Sequence, residues 1–187
     1  MAINKGKKGA MWCSDFCVDG DRAWFINGEL NAVIEYSMTK RETRFVCKAP
    51  DTKMVQEYLF IRILKYKKYI ILVPYFADSL FIFDLEKNKF IYTKYMKEMY
   101  KTVAVFSDAC IECGVLYCTP YSVGNPIFVF DLEQMVENTE IQISNTSLEG
   151  SIINHCCFYD DSIYAVVINS SSVIKCEIKK RKVSCAL

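Results

Sequence analysis

The sequence predicts an all-β fold in which one unit of four antiparallel strands occurs four times. Two segments carry this prediction, because "IILVPYFADSLFIFDLE" (residues 70–86) and "VLYCTPYSVGNPIFVFDLE" (residues 115–133) follow nearly the same pattern. Each runs from an apolar stretch into Pro-Tyr, through a short polar break, and then into F-[IV]-F-D-L-E. Pro74 and Pro120 are 46 residues apart. A fixed period of this length indicates a repeat architecture.

The pattern extends to four units, each with two well-defined central stretches. The second stretches are "AWFIN" (23–27), "YIILVP" (69–74), "VLYCTP" (115–120) and "IYAVVIN" (163–169). The third stretches are "AVIEY" (32–36), "LFIFD" (80–84), "IFVFD" (127–131) and "VIKCE" (173–177). They are rich in Val, Ile, Phe and Tyr and are bounded by turn residues, which is typical of strands. The best helical candidate, residues 92–103, falls where two units join, so we interpret it as a strand followed by a linker.

Four strands per unit at this period are typical of a β-propeller blade, whose two faces are buried only when blades stack on one another. Stacking also explains why the stretches are apolar throughout instead of alternating. The units resemble Kelch-type or WD-type blades in general pattern. Phe83-Asp84 and Phe130-Asp131 stand where WD repeats have Trp-Asp, and the Gly-Gly pair of Kelch repeats is missing. The first unit, "AWFINGELNAVIEY", is similar to a blade of streptogramin-lyase-like propellers.

The repeat predicts one propeller-like domain over residues 1–187, with blades at approximately 10–50, 54–98, 101–147 and 150–187. Four blades form either a four-bladed ring or part of a larger one. The first unit begins with its own first strand, so no exchange of strands between the termini is predicted to latch the ring. Unlatched sheet edges favour self-association, and a homo-oligomer is therefore one predicted assembly.

The register of the repeat places a polar residue at one position of every first strand. Applying offsets of 47, 46 and 47 residues to Asp15 gives Arg62, Asp108 and His155, each in an apolar setting. First strands line the central channel of a propeller, so these four residues are predicted to form a polar ring there. Alternating acids and bases would neutralise one another, which favours a structural ion-pair cluster. A metal or water site on Asp15, Asp108 and His155 is the alternative, and the charge of Arg62 opposes it.

The cysteines follow the same register and behave as small apolar core residues. "CIEC" (110–113) has the spacing of a zinc knuckle, but "CSDFC" (13–17) has three residues between its cysteines, and a zinc site needs a second matching pair. We predict no metal and no cofactor. His155 is the only histidine, so a Ser or Cys nucleophile with a histidine base would have to use it.

The loops between second and third strands emerge on one face of the ring and are the predicted binding surface. Tyrosine rings beside amides and carboxylates suit a protein or sugar surface. Ordinary turn chemistry is the alternative interpretation. The predicted binding residues are Asn27, Glu29, Tyr75, Asp78, Tyr121, Asn125 and Asn169.

Composition narrows the range of partners and functions that the sequence predicts. Lys plus Arg number 23 and Asp plus Glu 22, so the net charge of +1 gives no reason to expect nucleic acid or an anionic membrane as partner. The basic start of the chain lacks an apolar secretory segment, so a cytoplasmic protein with reduced cysteines is expected. The preferred prediction is a non-enzymatic binding or scaffold module for a protein, with a glycan as second choice. The alternatives are a hydrolase or lyase with its site at the channel mouth, and a partial propeller completed by self-association.

Overall fold

The computed structural model describes residues 13–28, 30–50, 59–100, 102–143, 147–168 and 170–178, and the backbone of 182–186. These residues form four antiparallel sheets, each of four strands in chain order, and we call the sheets blades 1 to 4. Blade 1 contains β1 (Cys13–Asp19), β2 (Arg22–Asn27), β3 (Ala32–Ser37) and β4 (Glu42–Lys48). Blade 2 contains β5 (Phe60–Tyr66), β6 (Tyr69–Pro74), β7 (Ser79–Asp84) and β8 (Lys89–Tyr95). Blade 3 contains β9 (Phe106–Glu112), β10 (Val115–Pro120), β11 (Phe128–Asp131) and β12 (Val136–Glu137). Blade 4 contains β13 (Ile153–Tyr159), β14 (Ser162–Val167), β15 (Val173–Glu177) and β16 (Lys182–Ala186).

The predicted all-β fold of four four-stranded units is confirmed. The second and third strands of every unit lie at the predicted positions, to within two residues at each end. β8 stops at Tyr95, and the N–H groups of Met99 and Tyr100 both donate to the carbonyl of Met96, so residues 92–100 are a strand end followed by a single turn. No helix in the described ranges is long and apolar enough to cross a lipid bilayer.

Apolar side chains between successive blades form the three parts of the core. Blades 1 and 2 meet through residues such as Trp24 and Ile63, and blades 2 and 3 through Ile71 and Phe130. The third part, between blades 3 and 4, includes Ile163. Blades 2 and 3 each contribute side chains to two of these clusters, so both of their faces are buried. This is the physical reason why their strands are apolar at consecutive positions.

The repeated F-D-L-E motif makes the turn between the third and fourth strands. The Asp84 Oδ1 atom accepts hydrogen bonds from the N–H groups of Glu86 and Lys87, both at 2.9 Å. Asp131 does the same for Glu133 and Gln134, at 2.8 and 2.9 Å. A short side chain that accepts from the backbone two and three residues ahead holds a tight turn. The motif therefore forms and stabilises the same turn in both repeats.

Replacing Asp131 with alanine is expected to lower the free energy of unfolding by about 1 kcal/mol, because two backbone N–H groups lose their acceptor. A chain of this size should then melt about 3 °C lower, which thermal denaturation followed by circular dichroism would detect. Asp131→Asn is the matched control, since its amide oxygen can accept the same two bonds. An equal loss of stability in both variants would contradict the turn interpretation.

First strands of successive blades lie side by side: β1 contacts β5, β5 contacts β9, and β9 contacts β13. Among the described strands, β13 and β1 share no contact of comparable extent. The four blades therefore form an arc, and no other described blade packs on the outer face of blade 1 or of blade 4.

Candidate binding site at the channel and loop face

The polar residues predicted on the first strands are brought together in one chain that crosses all four blades. Arg62 lies at its centre, with Nε 2.6 Å from Asp108 Oδ1 and a terminal guanidinium nitrogen 3.4 Å from Asp15 Oδ1. His155 Nδ1 lies 3.4 Å from Asp108 Oδ2. The two acids also accept backbone hydrogen bonds from the next blade. Ile63 N–H donates to Asp15 at 2.8 Å, and Cys156 N–H donates to Asp108 at 3.0 Å.

A local irregularity of the sheet positions each of these side chains. In all four blades, the pairing between the first and second strands shifts register next to the polar position. A β-bulge bends its strand and re-aims a side chain. Here the shifts lie toward the end of the strands from which the loops between second and third strands emerge. The polar chain therefore lies at the mouth of the channel on that face, which we call the loop face.

Burial differs sharply between the acids and the bases of the polar chain. The Asp108 side chain is 2% exposed and that of Asp15 is 14% exposed, whereas Arg62 is 38% and His155 is 67% exposed. Burial raises the pKa of the Asp15 carboxyl, against the hydrogen bond from Ile63 and the charge of Arg62. Burial alone would lower the pKa of Arg62, but its bonds to Asp108 and Asp15 outweigh that effect and raise it. The guanidinium therefore stays charged between two acids, and this part of the chain is a structural ion-pair cluster.

The thiols buried within the blades are poorly suited to catalysis. Burial raises the pKa of Cys17 to about 11 and of Cys47 to about 12. The pKa of Cys156 is also raised, first by its contact with Cys110 and then by burial. A protonated thiol is a weak nucleophile. In the part of the chain that the structure describes, no three His, Cys, Asp or Glu side chains are grouped so that they could hold a metal ion.

An aromatic cluster of Tyr75, Phe76 and Tyr121 lies on the loop face. The Tyr75 ring is 4.4 Å from that of Phe76 and 5.9 Å from that of Tyr121, the latter in an edge-to-face arrangement at 73°. Phe76 is 36% exposed, and both tyrosines are half-buried. Burial and the neighbouring Tyr121 raise the pKa of Tyr75. The cluster thus presents a solvent-facing aromatic edge on a packed base.

Backbone hydrogen bonds between blades hold this cluster in place. Val105 N–H donates to the Tyr75 carbonyl at 2.8 Å, and Tyr121 N–H donates to the Val105 carbonyl at 3.1 Å. Ile153 N–H then donates to the Tyr121 carbonyl at 2.9 Å. The loops of blades 2 and 3 are therefore tied to each other and to blade 4. These cross-blade bonds are the feature that sequence analysis missed, because nothing in one repeat encodes them.

The other predicted loop residues differ in what they offer to a ligand. Asn27 is 4% exposed and its side-chain oxygen accepts from Leu30 N–H at 2.8 Å, so it shapes a turn and offers little to a ligand. Asp78 is exposed and pairs with Lys97 at 3.1 Å. Asn125 is half-buried at the turn of blade 3. Glu29 and Asn169 lie outside the described residues.

The opposite face carries a cleft that sequence analysis did not predict. Its volume is about 480 Å³. Its lining residues are Lys67, Lys68, Tyr69, Glu86, Leu132 and Glu133. Both lysines are already paired, Lys67 with Glu133 and Lys68 with Glu86 and Asp84. A cleft whose charges neutralise one another has little electrostatic reason to select a charged ligand.

Comparison with solved structures identifies the architecture. The chain is similar to the structure of U3-55K (TM-score 0.69, 9% identity, 96% of this chain and 53% of that chain). It is also similar to the WD40 repeats of RRP9 (TM-score 0.67, 10% identity, 96% of this chain and 52% of that chain). The fold is a β-propeller. A third match is to the nidogen/laminin complex (TM-score 0.60, 10% identity, 89% of this chain and 59% of that chain).

These likenesses concern the fold alone, because sequence identity is low throughout. The chain spans about half the length of the first two structures that it matches. No known protein family matches the sequence, and no curated protein matches it.

Proposed function

We propose that this propeller is a non-enzymatic binding module that holds a protein partner on its loop face. The observation that carries the proposal is the cluster of Tyr75, Phe76 and Tyr121, which is partly exposed and fixed by backbone bonds between blades. Aromatic side chains bury a large area at low entropic cost and dominate binding energy at protein interfaces. A rigid cluster loses little further freedom when it binds.

Two further observations support a protein partner. The Asp78–Lys97 ion pair lies close to the cluster and is half-exposed, as expected of a polar rim around an apolar centre. One of the similar structures is a complex of nidogen with laminin. WD-like blades suit this role best, since Phe-Asp replaces Trp-Asp at the same point of two repeats. A glycan stays the second choice of ligand for the same aromatic surface.

The proposal is tested by the double variant Tyr75→Ala, Tyr121→Ala. Loss of two central aromatic anchors is expected to weaken partner binding roughly a thousandfold, because each such anchor contributes about 2 kcal/mol and about 1.4 kcal/mol is a factor of ten. Immobilised wild-type chain would first capture proteins from a cell extract, and titration calorimetry with the recovered partner would then measure affinity. Val136→Ala is the control, since Val136 is 44% exposed and pairs with Asp131, at the end of blade 3 opposite to the loop face. Equal binding by all three chains would refute the proposed surface.

A hydrolase is the second candidate, and one contact favours it. Asp108 Oδ2 lies 3.4 Å from His155 Nδ1, which leaves the other ring nitrogen of an exposed histidine toward the channel mouth. A carboxylate that orients a histidine is the arrangement of a general base. His155→Ala separates the two functions: a binding module keeps its partner, whereas a hydrolase loses its activity on ester substrates.

A compartment that keeps thiols reduced fits either function. None of the nine cysteines whose side chains the structure describes is in a disulfide. This supports the proposal that the protein works in the cytoplasm.

A further inference from the structure

The two ends of the arc expose surfaces that the same repeat positions bury elsewhere. On the face of each blade that receives the preceding blade, Ile63 of blade 2 is 0% exposed and Ala109 of blade 3 is 4% exposed. Their equivalent in blade 1, Phe16, is 65% exposed. Phe16, Phe25, Ile34 and Phe45 pair across the four strands and form one apolar row on this face, in which Phe16 and Phe45 on the outer two strands are 65% and 54% exposed and Ile34 is 4% exposed. Blade 1 therefore has the face of an internal blade without the neighbour that would cover it.

Blade 4 shows the complementary exposure on its opposite face. Val166 is 49% exposed, whereas its equivalents Ile26, Val73 and Thr119 are 3%, 0% and 0% exposed. Tyr159, on the adjacent strand, is 71% exposed. In blades 1 to 3 this face receives the next blade, so blade 4 is built to receive a blade as well.

The order of acids and bases along the polar chain indicates what kind of blade should follow blade 4. Asp15 and Arg62 of blades 1 and 2 are repeated as Asp108 and His155 of blades 3 and 4. Asp15 and Asp108 both accept the N–H of the residue that follows them, and both accept an N–H from the next blade. The alternation of acid and base therefore has a period of two blades. After the base on blade 4, it continues with an acid, and blade 1 carries that acid.

We propose that a second copy of this chain covers both ends, with blade 1 of each copy packed on blade 4 of the other, so that two arcs close an eight-bladed ring. His155 of one copy then lies beside Asp15 of the second copy, as Arg62 lies beside Asp108 within one chain. Two arcs of four blades make eight, and eight blades lie within the range of natural propellers. The two junctions are identical, which closes the assembly at two copies.

Sedimentation velocity of the full chain gives the first test. The expected species has about twice the mass of the 21.6 kDa chain. A species of 21.6 kDa at all micromolar concentrations overturns the proposal, as does a series of masses above two copies. Either result leaves the loop-face function untouched, because that surface lies within one chain.

Charge placed on either end face tests the junction. Phe16→Glu on blade 1 and Val166→Glu on blade 4 are each expected to abolish the doubled species, and neither should unfold the chain because both side chains are exposed. Val103→Glu is the matched control, since Val103 is 81% exposed between blades 2 and 3. An equimolar mixture of the two end variants has one intact junction and should recover the doubled mass, more weakly than wild type. A mixture that stays at 21.6 kDa overturns the end-to-end arrangement.

His155→Arg tests the predicted contact itself. The substitution makes the junction between copies repeat the Arg62–Asp108 junction, and it should lower the dissociation constant about fivefold, the equivalent of about 1 kcal/mol. His155→Glu places two acids side by side and should raise the constant. If the constant is the same in both variants and in wild type, His155 does not face Asp15 of the second copy.

Discussion

Replacing Arg62 with alanine is expected to lower the free energy of unfolding by roughly 3 kcal/mol, the lower end of the cost of breaking a buried ion pair. The guanidinium is the shared partner of two acids, and Asp108 is nearly inaccessible to water. Without Arg62, both acidic side chains lose the cation that compensates their charge. Urea denaturation at neutral pH, followed by the fluorescence of Trp24 in the core, would measure the loss.

The loss of stability in the Arg62→Ala variant should depend on pH, and the pKa shift of Asp15 determines the direction of that dependence. Burial raises the pKa of its carboxyl above the ordinary value of 3.8, and Arg62 opposes this shift. Removing Arg62 raises the pKa further. A carboxyl group whose pKa is raised in the folded state contributes stability while it is protonated. That contribution disappears as pH rises through the pKa of the folded state. The deficit of the Arg62→Ala variant is therefore largest at neutral pH and should shrink as pH falls toward about 4.

Lys97→Ala is the control for this experiment, because it removes a cation from a pair in which both side chains are half-exposed. Its expected cost in the free energy of unfolding is at most about 1 kcal/mol, because no buried charge is left without a partner. If Arg62→Ala cost no more than Lys97→Ala, or if its deficit grew at acid pH, the polar chain would not be a buried ion-pair cluster.

The fold could be predicted because each blade repeats the same chemistry at nearly constant spacing. The apolar stretches before Pro74 and Pro120 and the F-D-L-E turns gave both the strand positions and the register. That register also brought the four polar residues of the first strands to one level of the channel, which no single repeat would have revealed. Periodicity was sufficient there because neighbouring blades stack in register.

Other features of the site depend on contacts between blades and could not be derived from the repeat. The register shifts beside the polar positions have no sequence marker such as glycine, so the closer approach of Arg62 to Asp108 than to Asp15 could not be predicted. Asn27 has the composition of a binding residue, but its side chain is buried by the turn it holds. The rigidity of the aromatic cluster likewise arises from backbone bonds to Val105, on a segment between two repeats.

Replacing Phe130 with alanine is expected to cost roughly 3–5 kcal/mol, the usual cost of deleting a fully buried phenylalanine ring. Phe130 is 0% exposed between blades 2 and 3, with its ring 4.6 Å from that of Tyr92. Strands of both blades surround the ring. The cavity left by its loss can therefore close only if these strands move from their positions. Urea denaturation measures this loss directly, and the Phe16→Glu background removes any contribution from self-association.

The informative comparison is Tyr36→Ala, at the position of blade 1 that corresponds to Phe130 in the repeat. Tyr36 is only half-buried, because no blade of the same chain covers this face of blade 1. Its loss in the same background should cost less than half as much as that of Phe130, since a partly exposed ring leaves no closed cavity. If the two substitutions were equally costly, blade 1 would be covered in the single chain, and the arc would not have the open end that the second copy is proposed to fill.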